Sequence, residues 1–144
     1  MSETNPFHES DYQEHKKFRI ACPLFEVKIG ASKKPTMVLA DTGCDVGLAI
    51  MTDQVGELDL GQKISDDPFD ISVADGHVIK ADVYKADINL TGVIKPAIIY
   101  VLNPSTFKND TEEKEPIAYL GRGFLDNFNV VFKGKEQKVA FFHP

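Results

Sequence analysis

The chain has no tryptophan and only two cysteines, Cys22 and Cys44, in 144 residues. Two thiols cannot build a disulfide framework. No apolar run approaches the roughly 20 residues that a membrane-spanning helix requires, so no such span is expected. The first residues are polar where a secretory leader is apolar, and a reduced, cytoplasmic setting is the expectation. Bases are in deficit. With 16 Lys and Arg against 22 Asp and Glu, the formal charge is −6, which disfavours the phosphate contacts on which nucleic-acid binding depends. His8, His15, His77 and His143 are scattered, and none forms a local ligand motif with another His or with Cys. No metal and no other cofactor is expected. Internal repeats and low-complexity tracts are missing as well.

What is present is a β pattern. Ten Phe and a hydrophobic content of 42% suffice for one core, and the length is short for two. Segments rich in β-branched and aromatic residues run from Leu24 to Ile29, Thr36 to Ala40, Phe69 to Ala74, Val78 to Leu90 and Ala97 to Leu102, separated by Gly, Pro, Asn and Asp. Asp75-Gly76 marks a hairpin turn ahead of the longest segment. Residues 103–116, flanked by Pro and dense in charge, suit an exposed loop. The one expected helix is short, opened by Gly121 and running through Phe124 and Leu125 toward Asn127. Asn129 to Phe132 and Lys138 to Phe142 then bracket a polar turn as a closing hairpin. Residues 1–17 lack periodicity and read as a flexible tail, leaving 18–144 as one all-β domain.

The chemistry concentrates in Met37-Val38-Leu39-Ala40-Asp41-Thr42-Gly43-Cys44, where an apolar strand runs into an acid. A carboxylate at the end of such a strand costs several kcal/mol unless it is hydrogen-bonded or put to use. Gly43 removes a side chain that would obstruct a ligand. Taken alone, the triplet is weak evidence and reads first as an Asp-containing turn at a strand end. A second segment, Ile117-Ala118-Tyr119-Leu120-Gly121-Arg122-Gly123-Phe124-Leu125, carries an apolar-Leu-Gly run into the expected helix.

Together these segments resemble the retropepsin and pepsin clan of aspartic proteases, in which an apolar strand enters an Asp-Thr-Gly loop and a later apolar-Leu-Gly segment crosses behind it. The resemblance extends from about Phe25 to Phe142, and its closing portion is similar to the end of a pepsin lobe, which points to a cellular single-lobe branch. It implies a retropepsin-like acid-protease barrel, one lobe with a flap hairpin and one short C-terminal helix. It further implies that Asp41 is the catalytic acid, that Thr42 ties two active-site loops together, and that Gly43 presents backbone to substrate. Asp45 and Arg122 are expected to form a structural ion pair, with Gly121 supporting the loop. Ala74, Asp75, Gly76 and His77 would form the flap over a peptide, although a surface hairpin is an equal reading of them. Cys44 reads as a small packing thiol.

Metal-free amide hydrolysis needs one carboxylate to take a proton from water and another to protonate the carbonyl oxygen. Two facing carboxylates share a proton and titrate as a unit. One chain supplies only Asp41. A symmetric homodimer acting on peptide or protein substrates is therefore the expected endopeptidase. The chief alternative is a catalytically silent dimeric module that holds a peptide on the same fold. Asp-Thr-Gly also resembles a phosphate-binding turn of actin-like kinases, but their α/β helices are missing from this pattern.

Overall fold

The computed structural model describes residues 5–15, 19–51, 55–56, 58–72, 76, 78–102 and 118–144. In chain order the strands are β1 (His8–Asp11), β2 (Gln13–Glu14), β3 (Ala21–Cys22), β4 (Leu24–Ile29), β5 (Thr36–Ala40), β6 (Leu48–Met51), β7 (Phe69–Ser72), β8 (Val78–Leu90), β9 (Val93–Leu102), β10 (Ala118–Leu120), β11 (Asn129–Lys133) and β12 (Lys138–Phe142). A single turn of helix, α1 (Arg122–Leu125), precedes β11.

Strand alternation decides which residues go inside. In β4, Phe25, Val27 and Ile29 are buried while Glu26 and Lys28 are exposed, the period of two expected for a sheet with one wet face. β4, β5, β10, β6, β9 and β8 hydrogen-bond in that order, and β4 also pairs with β8 through Lys28↔Asn89 and Ile29↔Ile88. That last pairing closes six strands into a barrel, which leaves no open edge around the core. The core includes Phe25, Ile29, Leu48, Ile50, Ile99, Leu120, Phe124 and Phe141. The β8–β9 hairpin turns on Thr91 and Gly92, both at positive φ (53° and 90°), with the Gly92 N–H donating to Asn89 Oδ1 at 2.7 Å. Such two-residue turns match the right-handed twist of the strands they join. Pro96 is tolerated inside β9 because β6 pairs with β9 only from Ile99 onward.

A second sheet has the order β1-β12-β11, with both neighbours antiparallel to β12. Here the expectation of a tail up to residue 17 is corrected. Phe7 packs on Phe128 and Phe141, with ring centroids 5.2 Å and 6.2 Å away, and β1 pairs along β12 from His8↔Phe141 to Asp11↔Lys138. The pattern escapes a hydrophobicity reading because the half-buried positions of β1 are His8 and Ser10. Hydrogen bonds replace apolar packing there: His8 Nδ1 meets Thr91 Oγ1 at 2.6 Å, and Ser10 Oγ meets His8 Nε2. β2 and β3 form a short separate hairpin.

The remaining strand expectations hold with shifted ends. β7 covers Phe69–Ser72, the expected end at 73–74 lying outside the described residues; β9 begins four residues before Ala97, and α1 occupies the start of the expected helix. The charged segment 103–116 lies outside the described residues. Among the described residues, no helix is long and apolar enough to cross a membrane.

Candidate active site

β5 delivers Asp41. Val38 and Ala40 are buried, anchoring the strand in the core, and the chain then turns through residues 41–47 before re-entering the barrel as β6. β10 runs between these two strands, parallel to β5 (Tyr119↔Leu39) and antiparallel to β6 (Tyr119↔Ala49). Three short strands thus bring the Asp41 loop and the Gly121 segment face to face. The Asp41 N–H donates to Leu120 O at 2.9 Å, so the last residue of β10 fixes the backbone of the acid.

The Asp41 side chain is held by its own turn. Gly43 N–H donates to Asp41 Oδ1 at 2.9 Å, and Cys44 N–H donates to Asp41 O at 3.2 Å. This is an Asx-type turn, in which a side-chain oxygen does the work of a backbone acceptor. The carboxylate is half-buried, while Thr42 and Gly43 are exposed. One carboxylate oxygen is therefore fixed by its own loop.

Backbone contact locks the two segments together. Gly121 N–H donates to Gly47 O at 3.0 Å, Arg122 N–H to Cys44 O at 2.8 Å and Gly123 N–H to Val46 O at 3.1 Å. No side chain fits between them. A Cβ on Gly121 would lie 2.1 Å from Val46 O and 2.6 Å from Cys44 O, and one on Gly123 would lie 2.7 Å from Gly47 N. Gly121 has φ −100°, which any residue adopts, so its glycine is required by space and not by conformation. Gly47 and Gly123 belong to the same contact, and the sequence reading assigned neither a role. Their signal was the pairing of Gly43 and Gly47 with Gly121 and Gly123.

Asp45 and Arg122 are brought together as an ion pair, Arg122 Nη2 on Asp45 Oδ1. The hydrogen bond to Asp45, and then its charge, raises the Arg122 pKa above its ordinary value. Both side chains are largely exposed, so the pair orients the loop more than it stabilises the fold. Burial pushes the Cys44 thiol up, and the nearby Asp41 and Asp45 charges add to this against a hydrogen bond at Val46. A thiol held protonated is a poor nucleophile. Its surroundings are those of a packing residue.

β7 and β8 form an antiparallel hairpin from Phe69↔Ala81 to Ser72↔Val78. Gly76 lies in its turn at φ 89°, a conformation that favours glycine. Of the expected flap residues, Ala74, Asp75 and His77 lie outside the described residues. Val78 at the base of the turn is 60% exposed, an apolar side chain directed away from the core.

No protein-family description and no curated protein matches the sequence. Solved structures do. EIAV protease complexed with the inhibitor HBY-793 aligns with a TM-score of 0.53 at 23% identity, covering 73% of this chain and 86% of that one. The retroviral protease-like domain of Ddi1 from Leishmania major aligns at 12% identity with a TM-score of 0.44, covering 83% of this chain and 94% of that one. The class that the barrel defines is the all-β, retropepsin-like aspartic-protease fold. This chain has that fold, and its described residues are mostly strand with almost no helix.

Proposed function

We propose that the chain is one subunit of an aspartic endopeptidase, a homodimer in which two Asp41 carboxylates activate a shared water against a peptide bond. The observation that carries this reading is Asp41 itself. It stands at the end of a buried strand, its backbone tied to Leu120 and one carboxylate oxygen tied to Gly43. A single such acid can take a proton from water but cannot also protonate the carbonyl oxygen. A second copy of the same loop supplies the missing acid, and two facing carboxylates sharing one proton divide the roles. Thr42, exposed beside Asp41, is positioned to contact the partner loop. Asp45, Gly121 and Arg122 act as positioning residues for the loop. The flap of Ala74, Asp75, Gly76 and His77 covers a peptide or protein substrate. The setting is cytoplasmic, and neither metal nor another cofactor takes part.

The test is cleavage of a diverse peptide pool by the wild-type chain and by Asp41→Asn, with and without a statine-type inhibitor. Inhibitor-sensitive cleavage that vanishes in Asp41→Asn, with unchanged circular dichroism, is expected. Excess Asp41→Ala chain exchanged into a fixed amount of wild type should silence turnover in step with mixed-dimer formation, because one site needs both acids. Peptide binding without cleavage would identify the catalytically silent module instead. Full-rate cleavage by a monomer isolated in sedimentation would refute the shared site.

A further inference from the structure

β1 is held on each of its two faces by a side chain that titrates. Toward the barrel, His8 sits between two hydroxyls, Thr91 Oγ1 in the β8–β9 turn at 2.6 Å from Nδ1, and Ser10 Oγ at Nε2. Two rings enclose it, Phe25 of β4 and Phe141 of β12, with centroids 5.5 Å and 5.7 Å away. The alternation that buries Phe25 turns Glu26 outward, and the other imidazole at this sheet, His143, stacks on Phe7 at 4.5 Å. The groups that contact the His8 ring are thus hydroxyl or aromatic and include no acid to stabilise an imidazolium. Burial lowers its pKa accordingly. On the opposite face, Glu9 meets Lys133 of β11 at 3.0 Å and Lys138 of β12 at 3.7 Å, and Asp11 stands across from Lys138 in the register. The hydrogen bond from Lys133, before the neighbouring charges, holds the Glu9 carboxyl below its ordinary range.

The two ties fail in the same direction of pH. His8 titrates below 6.5 in the folded chain, so its contribution is complete above 6.5 and is lost as pH falls through the folded value. Glu9 titrates below 4.5, so its contribution is present above 4.5 and is lost as pH falls further. The imidazole therefore goes first. What then holds the outer face is an ion pair about one-third exposed, and such pairs are weak. The strand can part without the barrel, because β4 and β8 close the barrel on their own and β12 stays paired with β11 from Asn129↔Phe142 to Lys133↔Lys138. Opening of this kind, confined to one element, is the expected response of a strand held by few contacts. Its departure would uncover Phe128 and Phe141, on which Phe7 now packs.

We propose that β1 is an acid-released latch: below neutral pH the strand leaves β12 as a unit while the barrel stays folded. The latch is a property of the fold and stands or falls apart from the catalytic reading. Because the chain has no tryptophan, Tyr12→Trp, at a residue packed on the core just after β1, gives a single fluorescent reporter. Between about pH 6.5 and pH 5 its emission should move to the red and its quenching by acrylamide should rise severalfold, while the circular dichroism of the barrel stays constant. Adding His8→Gln, which keeps a neutral side chain between the two hydroxyls, should hold the reporter flat over that range. Adding Glu9→Gln removes the outer tie and should raise the midpoint of release by about half a pH unit. A reporter that stays flat to pH 5 without these additions overturns the latch, and so does release at the same pH with His8→Gln. Loss of the barrel signal at the same midpoint overturns it too, since that is global unfolding. An unmoved midpoint with Glu9→Gln overturns the two-sided form of the latch. If Tyr12→Trp fails to fold, hydrogen exchange of the β1 amides against those of β4 and β8 in the unsubstituted chain reads the same release.

Discussion

Replacing Gly121 with alanine should be a severely damaging single-methyl change at the site. The added Cβ would sit 2.1 Å from Val46 O, 2.6 Å from Cys44 O and 2.9 Å from Cys44 Sγ. Two of these atoms are backbone, so relief requires the Asp41 loop or the Gly121 segment to retreat by about 1 Å, because Cβ contacts under 3.0 Å essentially do not occur. That retreat stretches three inter-segment hydrogen bonds, Gly121 to Gly47, Arg122 to Cys44 and Gly123 to Val46. Overpacking of a rigid interior costs about 1–3 kcal/mol, and a clash against backbone belongs at the upper end, about 3 kcal/mol. No gain from a stiffer unfolded chain offsets it, since that effect is about 0.4–1 kcal/mol. The melting temperature should fall by roughly 10 °C. Two controls set the scale: Gly43→Ala meets only Asp41 Oδ1 at 3.3 Å, and Gly134→Ala meets nothing within 4 Å. Urea unfolding at one fixed chain concentration measures all three, which keeps any dimer contribution equal. The expected order of loss is Gly121, then Gly43, then Gly134. A Gly121→Ala protein within about 0.5 kcal/mol of wild type would refute the reasoning, since that is the scatter of neutral surface changes.

The Cys44 thiol, pushed up by burial and by the Asp41 and Asp45 charges, should alkylate slowly at pH 7, with a rate still climbing through pH 9; rapid labelling at neutral pH would contradict that environment. Burial lowers the pKa of His8, so the folded chain binds this proton less readily than the unfolded chain. Its contribution is therefore complete above the unfolded value of about 6.5 and is lost as pH falls through the lower folded value. The groups around it, Thr91, Ser10, Phe25 and Phe141, include no acid to hold the proton. Hydrogen-exchange protection in β1 should drop between pH 7 and pH 5 in wild type and stay flat in His8→Gln, and equal slopes would exclude His8 as the cause.

Much of the barrel was legible because its strands obey local rules. Leu24 to Ile29 and Val78 to Leu90 announce themselves by alternation, and the structure keeps those bounds. β1 was not legible, because its half-buried positions hold His and Ser, whose value depends on Thr91, 83 residues away from His8. β6 and β10 are four and three residues long, too short to carry a period of their own, and they exist because neighbours on both sides complete their hydrogen bonding. The Asp45 to Arg122 pair was anticipated through resemblance, since no local rule joins positions 77 apart.

By itself the sequence determined the β class, the acid at the end of an apolar strand and Gly43, which leaves room beside it, because alternation, turn chemistry and side-chain size act over a few residues. Only the tertiary structure decided that Gly121 and Gly123 press against the backbone of residues 44–47, that His8 and Ser10 make a strand of an apparently featureless terminus, and that β12 is enclosed by its own chain. These are non-local contacts: whether a polar residue is satisfied, or a methyl group has room, depends on which distant segment closure of the barrel brings beside it.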